Sequence, residues 1–133
     1  MRIMLDTNLL ISMFIFPNDF MNRIKKVLCS DHQILLCTYV VDELKEVVAR
    51  KSPARSADID WFLQSFPYTL VYTPEQFDAE EYPKIRDIAD LPVLVSAILE
   101  DADILITSDK DFTDVEIEKP EILKPHDFMA IYG

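Results

Sequence analysis

The chain has 133 residues and a mass of 15.4 kDa, the size of one ordinary domain, so we expect a single domain over residues 1–133. Its 24 acidic residues outnumber its 13 basic ones and leave a net charge of −11, which excludes a globally basic nucleic-acid binder. Gly133 is the only glycine, and this excludes the Gly-rich phosphate loops of dinucleotide-binding and P-loop proteins. With 50% hydrophobic residues, the chain is far too apolar to be disordered.

The apolar stretches are too short to form a membrane segment. The longest nearly apolar run covers residues 9–16 and ends at Pro17, whereas a bilayer span needs about 20 apolar residues. Asp6 interrupts the first apolar residues before the core of a signal peptide can form. We therefore expect a cytoplasmic protein that does not enter the membrane.

Cysteine and histidine usage argues against a zinc site. Cys29 and Cys37 are isolated in apolar stretches, and no C-x-x-C pair is present. His32 and His126 are the only histidines, which leaves too few soft ligands for zinc. We expect both cysteines to be reduced core residues and both histidines to lie at the surface or at helix ends.

Hydrophobic periodicity predicts strands that alternate with helices. In chain order the predicted elements are a strand at 2–5, a helix at 7–15, a helix that Asn18 or Asp19 caps and that ends near 28, and a strand at 33–37. They are followed by a helix that Thr38 caps and that ends near 50, a helix at 55–66 and a strand at 69–72. A Pro-punctuated stretch at 73–89 then precedes a helix at 90–101, a strand at 103–107, a short strand around 122 and a helix at 127–132. Helical crossovers between strands imply a parallel sheet with helices on both faces. In such sheets the functional crevice lies beyond the carboxyl ends of the strands.

Three aspartates are predicted to lie at that rim of the sheet. Asp6 follows the first apolar strand, and Asp109 follows the strand ILIT. Asp90 precedes the apolar helix LPVLVSAIL, and helix starts in this architecture point to the same rim. Each has an ordinary alternative explanation, because aspartate also caps helices and shapes turns.

Glu43 is the fourth candidate acid, because it lies on the apolar side of its predicted helix. At about 100° per residue, and taking Val40 as the origin, Leu44 falls at about +40° and Glu43 at about −60°. Its acidic neighbours Asp42 and Glu46 fall at about 200° and 240°, on the solvent side. An isolated buried carboxylate is costly, so Glu43 must be paired, protonated or bound to a cation.

Taken together, the four acids predict a metal site. Three or four carboxylates that converge on one rim repel one another unless a cation lies between them. Oxygen-only ligands select hard divalent cations, which indicates Mg²⁺ or Mn²⁺. Such an ion suits phosphate chemistry, because it polarises a phosphoryl oxygen and activates a bound water.

Three segments carry these acids: MLDTNLLIS at the start, TYVVDELKEVV in the third predicted helix, and RDIADLPVLVSAILEDADILITSDKDF further on. Their order and spacing resemble the three motif blocks of PIN-domain nucleases, and especially the toxins of VapBC-type toxin–antitoxin pairs. The resemblance implies a three-layer α/β/α sandwich on a central parallel sheet. It also implies an Mg²⁺- or Mn²⁺-dependent endoribonuclease that acts on RNA, binds a small antitoxin protein and forms a homodimer.

The resemblance assigns roles to individual residues of this chain. The acidic quartet corresponds to Asp6, Glu43, Asp90 and Asp109, and Asp111 matches an additional acid seen in many members. Asn8 matches a polar position that helps to hold the first aspartate, and Thr107 or Ser108 matches a hydroxyl beside the fourth. Ser108 replaces a common glycine, and the run Asp90-Leu91-Pro92 replaces a D-N or D-D pair, so Asp87 remains an alternative third acid. We prefer Asp90, because it directly precedes the amphipathic helix.

Local positive charge would have to offset the acidic excess for RNA binding. The candidate cations form two groups: Arg23, Lys25 and Lys26, and around the end of the third helix Lys45, Arg50, Lys51 and Arg55. Helix-end cations are equally explained by the helix dipole. The apolar residues of LLISMFIF and of IDWFLQSF, with Trp61, would serve either the core or a dimer or antitoxin contact.

Two other functions compete with the nuclease. The first is a catalytically silent domain that keeps the fold only to bind a partner, which the complete acidic quartet disfavours. The second is an Mg²⁺-dependent aspartate phosphatase or phosphotransferase. That chemistry requires a second acid two residues after the first, whereas this chain has Asn8.

Overall fold

The computed structural model describes residues 1–133. Its strands are β1 (Arg2–Leu5), β2 (Gln33–Cys37), β3 (Thr69–Val71), β4 (Ile104–Ile106) and β5 (Glu121–Leu123). Its α-helices are α1 (Thr7–Phe14), α2 (Asp19–Asp31), α3 (Thr38–Lys51), α4 (Ser56–Ser65), α5 (Leu91–Leu99) and α6 (Pro125–Tyr132). Short 3₁₀ turns lie at Pro53–Arg55, Ala79–Glu81, Ile88–Asp90 and Lys110–Phe112. No helix is both long and apolar enough to cross a membrane.

The five strands form one parallel sheet in the order β3-β2-β1-β4-β5. Ile3 of the central strand β1 pairs with Ile34 of β2 on one side and Ile104 of β4 on the other. The apolar residues of these three strands are almost completely buried, as expected for a sheet that is covered on both faces. The predicted three-layer α/β/α sandwich with a central parallel sheet is therefore confirmed.

The strand order of the sheet reverses beside β1. From β1 the chain moves outward to β2 and β3, and then returns to place β4 on the opposite side of β1. Such a reversal of strand order opens a ligand-binding crevice at the carboxyl ends of the two strands that flank it. Asp6 follows β1 at this point, and its N–H donates to the carbonyl of Ile106 at 3.2 Å.

Several helix starts differ from the predicted ones. Thr38 is the first residue of α3 rather than its cap, and Cys37 occupies the N-cap position. The α5 helix begins at Leu91, because the preceding residues form the 3₁₀ turn Ile88–Asp90, which the side chain of Asp87 caps. Leu91, rather than Asp90, is thus the first residue of the helix. The sequence pattern missed this turn, because a single 3₁₀ turn has no hydrophobic period of its own.

The near absence of glycine is compatible with this fold because only one residue needs a left-handed backbone. Asp101 follows α5 and its cap residue Glu100, and it has a φ of 54°. Helices commonly end on glycine at this position, but aspartate tolerates the conformation better than most residues. The predicted end of the helix at Asp101 was therefore two residues too late.

The expectation that both cysteines are buried is confirmed for Cys37 and wrong for Cys29. Cys37 is fully buried at the end of β2, but Cys29 is exposed on α2. Leu28 faces the core, and the next residue lies about 100° further around the helix, so Cys29 points to solvent. His32 follows the end of α2, and His126 is exposed and stacks on Phe20 with ring centroids 4.1 Å apart.

Candidate functional site

Asp6 is held between two donors at the end of β1. Its Oδ1 accepts a hydrogen bond from the Thr7 N–H at 2.8 Å, and its Oδ2 accepts one from the Thr107 hydroxyl at 2.7 Å. Asp6 is only 5% exposed. Burial raises the pKa of Asp6 above its ordinary value, the two hydrogen bonds oppose this, and the charges of Glu43 and Asp109 add to the rise.

Thr107 connects Asp6 to the loop that follows β4. Besides donating to Asp6, its hydroxyl accepts a hydrogen bond from the Asp109 N–H at 3.0 Å. Asp109 is half-buried, and its Oδ1 accepts from the Asp111 N–H at 2.9 Å, which caps the 3₁₀ turn Lys110–Phe112. One buried hydroxyl thus fixes the ends of both strands that flank the crevice.

Asp90 is half-buried at the start of α5, and one of its carboxyl oxygens has no partner. Its Oδ2 is inaccessible to solvent and makes no hydrogen bond. Burial is the largest cause that raises the pKa of Asp90 to about 7, and the charges of Asp109, Asp6 and Asp87 and a carboxyl–carboxyl hydrogen bond with Asp111 add to the rise. A buried oxygen without a donor is rare in proteins, and a bound cation would satisfy it.

Glu43 reaches the same region from α3. Its side chain is half-buried, whereas Asp42 and Glu46 are exposed, as the helical arrangement predicts. Its charge contributes to the raised pKa of Asp6 and of Tyr39, which lies one turn earlier on the helix. Burial is the largest cause of the raised pKa of Tyr39, and the carboxylates of Asp90, Asp87 and Asp6 add to it.

The tightest group of acids is not the predicted quartet. Carboxylate oxygens of Asp87, Asp90 and Asp111 all lie within 4.8 Å of one another. Asp6, Glu43 and Asp109 lie outside this group. The carboxylates of Asp6 and Asp109 accept hydrogen bonds from Thr7, Thr107 and Asp111 instead. Both alternatives for the third acid are therefore near Asp111, with Asp90 half-buried and Asp87 exposed at the outer side.

The predicted supporting residues are divided between buried and exposed positions. Thr107 is buried against Asp6, but Ser108 is exposed. Asn8 is exposed as well and makes no hydrogen bond to Asp6, because α1 turns its side chain outward. The contacts expected from Asn8 are made by Thr107 and by the N–H of Thr7.

Two residues that the sequence analysis did not single out lie beside the acids. The Tyr39 hydroxyl donates to the Ala89 carbonyl at 2.9 Å. The Nε of Arg86 lies 4.0 Å from Oδ1 of Asp111, the only ion pair in the structure that includes one of these acids. Sequence signals existed for both, since Tyr39 precedes Glu43 by one helical turn and Arg86 directly precedes Asp87.

The arrangement of the chain is that of a known family. Residues 2–111 match the PIN domain, and the chain belongs to the PIN-domain family. The resemblance inferred from the three motif segments is thereby confirmed. No curated protein matches the chain.

Among solved structures, the fold is similar to that of a chain in VapBC2 from Rickettsia felis, crystallised bound to a DNA fragment from their promoter. The TM-score is 0.69, and the match covers 92% of this chain and 97% of that chain. The sequence identity is 21%, so the likeness concerns the fold.

Proposed function

We propose that this protein is a divalent-metal-dependent endoribonuclease and the toxin of a toxin–antitoxin pair. The observation that carries the proposal is the Asp90 carboxyl, which is half-buried among other carboxylates and leaves one buried oxygen without a partner. Membership of the PIN-domain family and the fold shared with a chain of a VapBC complex support it.

The donor set fits a hard divalent cation. Every candidate ligand is a carboxylate oxygen, and such sites prefer Mg²⁺ or Mn²⁺. We propose that Asp6, Glu43, Asp90 and Asp109 hold the ion, with Asp111 as an additional ligand. When bound, the ion would polarise a phosphoryl oxygen and lower the pKa of a water molecule that attacks the phosphodiester.

The residues of the chain prepare this site before an ion binds. Donors from Thr7 and Thr107 favour the charged form of Asp6 against the cost of its burial. Asp90 has a pKa of about 7, so a bound cation, which favours the charged carboxylate, would displace its proton near neutral pH.

Arg86 is placed to meet an RNA phosphate. Its side chain is 64% exposed and lies against Asp111 at the rim. The cations at the end of α3 are less suitable, because the helix starts at the rim and Arg50 lies seven residues beyond Glu43, about 10 Å along the axis. Arg50 is also paired with Glu46 at 3.7 Å. Contact with RNA is therefore proposed for Arg86 rather than for those cations.

An acidic cleft beside the site is the surface that we propose for the antitoxin. The cleft has a volume of about 470 Å³ and is lined by Asp109, Glu118, Glu121 and Asp127 around the apolar Phe112, with Lys124 as its only base. Four carboxylates against one lysine favour a basic segment of a partner. We also propose a homodimer, for which the exposed aromatic side chains of Phe16 (67%) and Trp61 (69%) provide apolar surface.

The purified chain tests the enzymatic proposal. We expect Mn²⁺-dependent cleavage of structured RNA that stops with a chelator. Asp6→Asn and Asp109→Asn should each lower the rate about a hundredfold or more, since a metal ligand supports several kcal/mol of charge stabilisation. Asp42→Asn, an exposed acid on α3, is the matched control and should cleave normally.

The same assay separates the alternatives. No calorimetric binding of Mn²⁺, or full activity of Asp6→Asn, would contradict the metal mechanism and favour a catalytically silent binding domain. Cleavage of DNA in preference to RNA would contradict the proposal that RNA is the substrate. Growth arrest on expression, relieved by a small protein encoded next to this one, would establish the toxin role, and chromatographic mass would report the dimer.

A further inference from the structure

Tyr39 links α3, which carries Glu43, to the 3₁₀ turn Ile88–Asp90, which carries Asp90. It is the second residue of α3, and its side chain lies one turn before Glu43 on the same side of the helix. Its hydroxyl donates a 2.9 Å hydrogen bond to the carbonyl of Ala89. That carbonyl belongs to the peptide group that links Ala89 to Asp90.

This peptide group is held at both of its polar ends. Its oxygen accepts from Tyr39, and its N–H, which is that of Asp90, donates to the Asp87 carbonyl at 3.0 Å. The Asp87 carboxylate in turn accepts from the Ala89 N–H at 3.0 Å. Rotation of this peptide group would turn the Asp90 side chain away from Asp87 and Asp111. The Tyr39 hydrogen bond therefore restrains the direction of the Asp90 side chain.

The start of α3 is itself fixed to α5 by hydroxyl groups. The Thr73 hydroxyl accepts from the Tyr39 N–H at 3.3 Å and from the Ser96 hydroxyl of α5 at 2.9 Å. The Thr73 N–H donates to the Thr38 hydroxyl at 3.0 Å. These hydrogen bonds hold the backbone of Tyr39 in place relative to α5. A side chain held in this way can set the distance between Glu43 and Asp90.

We propose that Tyr39 is a positioning residue that orients Asp90 relative to Glu43 for the divalent cation. The inference rests on the proposed metal-dependent function. Hydrogen-bond partners outside the ligand shell set the orientation of metal ligands, and their loss commonly lowers metal affinity by about tenfold or more. Tyr39→Phe removes the donor and keeps the ring, whereas Tyr72→Phe is the matched control, because Tyr72 is 78% exposed and its hydroxyl makes no hydrogen bond.

The experiment is a double-mutant cycle on Mn²⁺ affinity, read by calorimetry and by the electron paramagnetic resonance signal of the ion. We expect Tyr39→Phe to weaken binding about tenfold and Tyr72→Phe to leave it unchanged. In an Asp90→Asn background, Tyr39→Phe should have no further effect, since it acts through Asp90. Cleavage by Tyr39→Phe should fall at limiting Mn²⁺ and recover at saturating Mn²⁺.

Unchanged affinity in Tyr39→Phe, or losses that add in the double variant, would overturn the inference, even if the melting temperature falls. A wild-type chain that binds no Mn²⁺ would instead overturn the proposed function on which the inference rests. Because wild type is measured first, the two failures are distinct.

Discussion

The hydroxyl of Thr107 and the carboxylate of Asp6 form a 2.7 Å hydrogen bond between residues that are 101 positions apart in sequence. Both residues follow adjacent strands of the sheet, at the point where the strand order reverses. The same hydroxyl accepts from the Asp109 N–H. The Thr107 side chain thus restrains the positions of both Asp6 and Asp109, the acids that follow the two strands.

Thr107→Val tests this relationship, because valine keeps the shape and removes the hydroxyl. The buried Asp6 carboxylate loses a donor, which costs about 1–3 kcal/mol, and the half-buried Asp109 N–H loses its acceptor. We expect a lower free energy of unfolding in urea and weaker Mn²⁺ binding, with Thr107→Ser close to wild type. Thr113→Val, at an exposed threonine nearby, should change neither. Normal Mn²⁺ affinity in Thr107→Val would show that the bond does not support the proposed site.

Asp90 should make the metal-free protein less stable as pH rises. Its pKa is about 7 in the folded protein against an ordinary value of 3.8, so between these values the folded chain holds a proton that the unfolded chain has lost. The free energy of unfolding therefore falls as pH increases from about 4 to about 7. Asp6 has a raised pKa and contributes with the same sign.

Melting temperatures in a chelator at pH 5 and pH 8 measure this effect. We expect wild type to lose stability over this range and Asp90→Asn to lose less, because asparagine has no proton to release. Asp58→Asn, at an exposed position on α4, should behave as wild type. Added Mn²⁺ should raise the melting temperature at pH 8, since a ligand at about 100 times its dissociation constant stabilises by about 2.7 kcal/mol. Equal slopes for wild type and Asp90→Asn would contradict the prediction.

The strands, the parallel sheet and the half-buried position of Glu43 followed from the sequence, because each leaves a periodic or terminal signal. Asp6 and Asp109 could be placed on one rim, since strand ends need no side-chain information. The hydrogen bonds of Thr107 and Tyr39 could not be predicted from the sequence. The first joins residues 101 positions apart and the second joins residues 50 positions apart. Asp87 was kept as an alternative third acid, but the 3₁₀ turn that brings it and Asp90 together near Asp111 could not be predicted, because a single 3₁₀ turn has no hydrophobic period.

Single-residue exposure was harder to predict than periodicity, as Cys29 shows. A cysteine in an apolar stretch suggests burial, but neighbours on a helix differ by about 100° in direction. We expect iodoacetamide to modify one cysteine, Cys29, in the native protein and both after unfolding, because Cys37 is fully buried. Partial burial raises the pKa of the Cys29 thiol, opposed by Lys25, so the reaction should accelerate with rising pH. Mass spectrometry identifies the site, and rapid native modification of Cys37 would contradict the structure.

Arg86 should provide one of the phosphate contacts of the proposed RNA complex. Its guanidinium is 4.0 Å from Asp111 and mostly exposed, so it is free to meet a phosphate that approaches the acids. We expect Arg86→Ala to weaken RNA binding and to reduce the slope of log affinity against log salt by about 0.7, the value for one contact with a single strand. Binding is measured on an Asp6→Asn background, in which cleavage should be about a hundredfold or more slower. Lys51→Ala, at the far end of α3, is the control, and a larger effect from Lys51 than from Arg86 would place the RNA at the opposite end of that helix.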